Sequence, residues 1–111
     1  ALKIEKKYKA KCIFKIIKGY PSLFNNPKVT EDCIRLSCDI LDASNVHNLP
    51  LRMASEDFSF FSQACPSSFF RLGVANSKKG INHLVHTSRF DIDHNSIRIG
   101  LKLMSYLAFN I

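Results

Sequence analysis

The chain has 111 residues, 46% of them hydrophobic and 23% charged, with a net charge of +7. That composition suits one modest domain and excludes a disordered, collagenous or coiled-coil chain. No apolar run is long enough to span a bilayer, and the four cysteines show no C-x-x-C spacing and no disulfide framework, which points to a reducing cytoplasm.

The first 18 residues hold seven lysines against Glu5, a balance of +6, which leaves +1 for the other 93 residues. The basicity therefore belongs to one segment. Residues 7–17 alternate with period two and predict a strand. Tyr8, Ala10, Cys12, Phe14 and Ile16 fall on one face, and most of the lysines on the other. Single-strand binders put aromatics and basic groups on the same surface. Here they are opposed, so a solvated sheet face is the better reading, and a small basic nucleic-acid-binding module is kept as a rival. The N-terminus carries no signal-peptide pattern. It begins with Ala rather than Met, as a piece of a longer polypeptide would.

Gly19 and Pro21 end that strand. In "NNP", Asn26 is expected as N-cap and Pro27 as the first helical residue. Val29, Cys33, Leu36, Ile40 and Leu41 then form a buried helical stripe, which makes Cys33 and Cys38 core thiols rather than metal ligands. Residues 46–53 suggest a short edge strand, with Pro50 in it. Ser55 is the expected N-cap of a helix reaching Ala64, with Glu56 and Asp57 in its first turn. "SSFFRLGVAN", residues 67–76, has the continuous apolarity of a central strand covered on both faces. "SKKG" is a surface turn. A last helix starts near Asp93 or Asn95, with Ile97, Leu101, Met104, Ala108 and Ile111 on one face and Leu107 adjacent. Gly100 inside it costs about 1 kcal/mol against Ala, which implies close packing on a neighbour. Strands alternating with helices indicate an α/β fold.

Three of the four histidines lie in "HLVHTSRFDIDHNSI", residues 83–97. A zinc-type site needs three or four ligands per ion. His83, His86 and His94, with Asp91 and Asp93, form a conceivable local cluster, but Asp93 is better used as a helix cap. A single ligand donated from this loop to a site completed elsewhere is the stronger reading.

The segments "YPSLFNNPKVTE", "LRMASEDFSFFSQACPSSFFRLGVAN" and "HLVHTSRFDIDHNSIRIGLKLMSYLA" together resemble the C-terminal part of the metal-dependent amidohydrolases that cleave N-acyl amino acids. These are aminoacylases, hippurate hydrolases, auxin-conjugate hydrolases and N-acetyldiaminopimelate deacetylases, a branch of the dinuclear zinc-peptidase superfamily. The resemblance implies a catalytic domain of α/β type, a mostly parallel sheet with flanking helices, over residues 20–111. It implies that residues 1–19 are the last strand of an inserted lid or dimerisation domain. By position, His86 matches the family's last metal ligand. His83 falls where the family is variable. Glu56 and Asp57 match a turn lining the substrate cleft, and Asn25 an asparagine at the return from the lid, where a hinge role is favoured.

The family's "H-x-C-G-H-D"-like segment is absent, as is the glutamate pair that supplies the general base and another ligand. The remaining ligands are therefore expected upstream. The resemblance implies two divalent ions (zinc, manganese, nickel or cobalt) in the complete enzyme and none held tightly by these residues. It further implies an N-acyl amino acid or small peptide as substrate, no amidase activity from the chain alone, and self-association or homo-oligomers through exposed apolar faces. The other alternative is a non-catalytic interaction domain built on the enzyme fold. Neither membrane nor nucleic acid is an expected partner.

Overall fold

Helices form where capping and apolar spacing agree. The computed structural model describes residues 1–111. Its elements are α1 (Leu2–Tyr8), α2 (Pro27–Ile40), α3 (Ser59–Ala64) and α4 (Asn95–Asn110), with 3-10 turns at Ala43–Asn45 and Ser77–Lys79.

At the start of α2 the Asn26 side chain accepts from Val29 N at 3.1 Å, with Pro27 as the first helical residue, as the "NNP" signal predicts. Leu36 of its apolar stripe is buried, and Cys33, Ile40 and Leu41 pack beside it. The core is this stripe against α4: Leu36, Leu103 and Leu107. Gly100 lets α4 come close, since a Cβ there would lie 2.9 Å from Leu72 Cδ2.

The apolar face of α4 differs from the expected one. Ser96, Leu103 and Leu107 are the buried residues, and Ile97, Leu101, Met104, Ala108 and Ile111 are exposed. The helix is apolar around most of its circumference, and α2 covers one side. Periodicity alone does not say which side a partner takes.

α3 begins at Ser59, four residues after the expected cap at Ser55. At the N-terminus, residues 7–17 were expected as a strand. The chain is instead helical to Tyr8, turns at Lys9 (φ 50°) and has no regular structure from there to Asn26. Lys, Leu and Glu favour the helix, and a strand needs a neighbour to satisfy its N–H and C=O groups. Residues 46–53 likewise form no strand, with Leu51 and Met53 almost wholly exposed.

No β-ladder forms; the single pairing is an antiparallel bridge between Asn76 and Ile81. Residues 71–76 still alternate as a strand would. Leu72, Val74 and Asn76 are half-buried, whereas Arg71, Gly73 and Ala75 are exposed. With 7 of 111 residues buried and a radius of gyration of 20.5 Å, the chain does not close around one core. A compact domain of this size would have about 13 Å.

Candidate functional site

The loop between Ile81 and Asp93 carries His83, His86 and Asp91, all exposed. His86 sits in the left-handed region, at φ 65°. Histidine enters this region more readily than most residues, but a non-glycine there costs of order 1 kcal/mol and marks a conformation held by its surroundings. The turn around it is closed locally: Thr87 Oγ1 donates to Leu84 O at 2.9 Å, and Phe90 N to Thr87 O at 3.1 Å.

The loop's stem is a polar knot. Asn76 N donates to Ile81 O and Ile81 N to Asn76 O, at 2.6 and 3.0 Å. Asp93 N donates to Val74 O at 2.9 Å. The Asp93 carboxylate, 12% exposed, accepts from Asn76 Nδ2, from Lys79 Nζ at 2.8 Å and from Asn95 N at 3.3 Å. The Lys79 ammonium, then the Asn76 amide and Asn95 N–H, hold this carboxyl at about 2, below the usual 3.8. The N-cap of α4 is His94 rather than Asp93, but Asp93 Oδ1 receives Asn95 N at the start of the helix, and its carboxylate joins the two ends of the loop. The second role was not legible in the sequence, where "SKKG" reads as a turn and its partner lies 14 to 17 positions on.

Asn25, expected at the return from a lid, is a clamp. Its Oδ1 accepts from Phe69 N at 2.7 Å and its Nδ2 donates to Phe69 O at 3.0 Å. Asn26 N donates to Ser67 O at 2.8 Å beside it. The Phe69 ring meets Phe58 at 5.4 Å, next to the Glu56–Asp57 turn. Glu56 is half-buried, and its Oε1 accepts from Phe58 N at 3.4 Å. Asp57 is exposed, its carbonyl receiving Phe60 N at 3.0 Å. Asn25, Glu56 and Asp57 therefore share one neighbourhood through Phe58 and Phe69. No hydrogen bond or ion pair joins them to His86.

No three His, Cys, Asp or Glu side chains gather closely enough to enclose a metal ion. An exposed imidazole on a locally braced turn fits one donor position of a metal site and no more. Two hollows on the surface lie away from it. One, of about 260 Å³, lies among Phe24, Asn26 and residues 62–66. The other, of about 350 Å³, is apolar and runs between α2 and α4 past Cys33. Burial there pushes the Cys33 thiol up, against a smaller opposing effect of the Ser68 hydroxyl, so it is a packing thiol rather than a reactive one.

Residues 6–110 match the model of peptidase family M20/M25/M40. The chain is 34% identical over 102 residues to thermostable carboxypeptidase 1 of Saccharolobus solfataricus, covering 91% of this chain and 25% of that protein. It is 30% identical over 89 residues to IAA-amino acid hydrolase ILR1-like 6 of Arabidopsis thaliana, covering 80% of this chain and 19% of that one. It thus spans a quarter or less of the length of these relatives. No solved structure matches.

Proposed function

The chain belongs to peptidase family M20/M25/M40, and from that premise we propose that it supplies the last metal ligand, His86, and part of the substrate cleft to a metal-dependent amidohydrolase. The substrate class is an N-acyl amino acid or a small peptide. Two relatives carry names of that chemistry, a carboxypeptidase and an amino acid hydrolase. The observation that carries the reading is His86 itself: an exposed imidazole at positive φ, on a braced turn, inside the matched segment.

Two divalent ions, of zinc, manganese, nickel or cobalt, would polarise the amide carbonyl and lower the pKa of a bound water. His86 would hold one ion through a neutral imidazole nitrogen. Asn25, by fixing Phe69 and with it Phe58, sets where the Glu56–Asp57 turn stands at the cleft. The general base and the other ligands are not among these residues, so the chain alone is expected to have no amidase activity.

Residues 71–75, which alternate as a strand would but join no β-ladder, and the exposed stripe from Ile97 to Ile111 support a parallel sheet completed by further polypeptide. In this reading residues 1–19 belong to the lid and 20–111 to the catalytic domain. No helix is long and apolar enough to cross a membrane. Four free cysteines fit a reducing cytoplasm.

The test is a chimera in which residues 6–110 replace the matching quarter of the Saccharolobus carboxypeptidase. The chimera should bind zinc and release amino acid from an N-acyl substrate, and His86→Ala should lower both by at least about 100-fold. Full zinc affinity in the His86→Ala chimera would sink the assignment.

A further inference from the structure

We propose that Asp93, gripped by Asn76 and Lys79, is the positioning residue that fixes the loop presenting His86. The proposal rests on the reading of His86 as a ligand and adds what holds that ligand in place. Between Asn82 and Ile92 the loop's hydrogen bonds all stay inside the loop: Thr87 to Leu84, Phe90 to Thr87, and Ile92 N to Asp91 Oδ1 at 2.8 Å. Residues 82–91 are exposed throughout, so packing does not hold them. The loop's orientation is therefore set where it leaves and re-enters the fold.

Both ends meet at one carboxylate. On the outgoing side, Asn76 pairs with Ile81 through the backbone and donates its side-chain amide to Asp93 Oδ2, and Lys79 Nζ reaches Asp93 Oδ1 at 2.8 Å. On the returning side, Asp93 is tied to Val74 O and to the start of α4, and α4 is anchored in the core by Leu103 and Leu107. A buried carboxylate with one ammonium and two N–H partners is well satisfied, and such charge-assisted bonds hold geometry better than neutral ones. The knot transmits the rigidity of α4 to the base of an otherwise free loop. A ligand displaced by an ångström loses much of its value to a metal site, and for this reason supporting contacts matter.

The experiment is hydrogen exchange and imidazole NMR on the 111-residue chain. Asn76→Ala and Lys79→Met leave the contacts of Asp93 with α4 intact, whereas Asp93→Ala removes every side-chain contact of the knot and keeps the backbone bonds to Val74 O and from Ser96 N. Asn76→Ala should speed exchange at the bonded amides of the loop and its ends, Ile81, Phe90 and Asp93, roughly fivefold, and Asp93→Ala further. The His86 ring resonances should move towards free-histidine positions, while Leu36, Leu103 and Leu107 amides stay protected. Unchanged loop amides and an unmoved His86 ring would overturn the proposal. Equal acceleration across α2 and α4 would also overturn it, since the knot would then only stabilise the fold. The His86→Ala chimera judges the ligand role separately, so either idea can fail alone.

Discussion

The side-chain amide of Asn25 grips the backbone of Phe69 from both sides, taking its N–H at 2.7 Å and giving to its C=O at 3.0 Å. It does for Phe69 what a neighbouring strand would do, 44 residues away in sequence. Asn25→Ala should therefore cost about 1–2 kcal/mol, from two lost bonds at a half-buried peptide. Asn25→Asp keeps the acceptor for Phe69 N but sets a carboxylate oxygen against Phe69 O, two acceptors facing each other, and should cost at least as much. Urea midpoints, or exchange at the Phe69 amide, measure both. An unchanged midpoint in Asn25→Ala would make the clamp incidental.

Asp93 gives the fold an acid limit. Its folded pKa, about 2, lies below the ordinary 3.8 because of Lys79, Asn76 and Asn95. A depressed carboxyl contributes stability fully above the ordinary value and loses it as pH falls through the folded one. The contribution is thus present at neutral pH and disappears between about pH 4 and 2. Asp93→Asn should be less stable at pH 7 and should flatten this part of the stability profile, as urea midpoints across the acid range will show.

Gly100 stands where two effects nearly cancel. Alanine gains about 1 kcal/mol of helix propensity. Its Cβ would come within 2.9 Å of Leu72 Cδ2, the end of a rotatable side chain able to step aside. Gly100→Ala should therefore be close to neutral in thermal melts. Gly100→Val, with two further methyls, should be destabilising by about 1–3 kcal/mol.

On α4, position rather than hydrophobicity decides the cost of truncation. Leu107→Ala empties part of a three-leucine core and should cost about 2–4 kcal/mol. Leu101→Ala, at a site 69% exposed, should stay within about 0.5 kcal/mol. Denaturation of both variants side by side tests whether the buried stripe is the one described.

The exposed stripe of Ile97, Leu101, Met104 and Ile111 should drive self-association of the chain alone. Sedimentation velocity should find species heavier than the 12.6 kDa monomer, increasing with concentration. Leu101→Glu with Met104→Lys should reduce them. A monodisperse monomer at high concentration would count against the stripe as an open interface.

Local signals settled much here. Asn26 and Pro27 specify a helix start through a side-chain acceptor and a fixed φ, both available without the rest of the fold. The spacing of Cys33, Leu36 and Ile40 marked the buried face of α2, and Gly100 marked a close contact. His86 was singled out by the resemblance of its motif, whereas its positive φ was announced by no local pattern. What stayed hidden depends on partners distant in sequence. Whether residues 7–17 or 67–76 become strands depends on a hydrogen-bonding neighbour, and alternation cannot say whether one is present. The side of α4 that meets α2, the grip of Asn25 on Phe69 and the meeting of Asn76, Lys79 and Asp93 were likewise decided in three dimensions. Each pairs groups that share no local period, and only packing brings them within bonding distance.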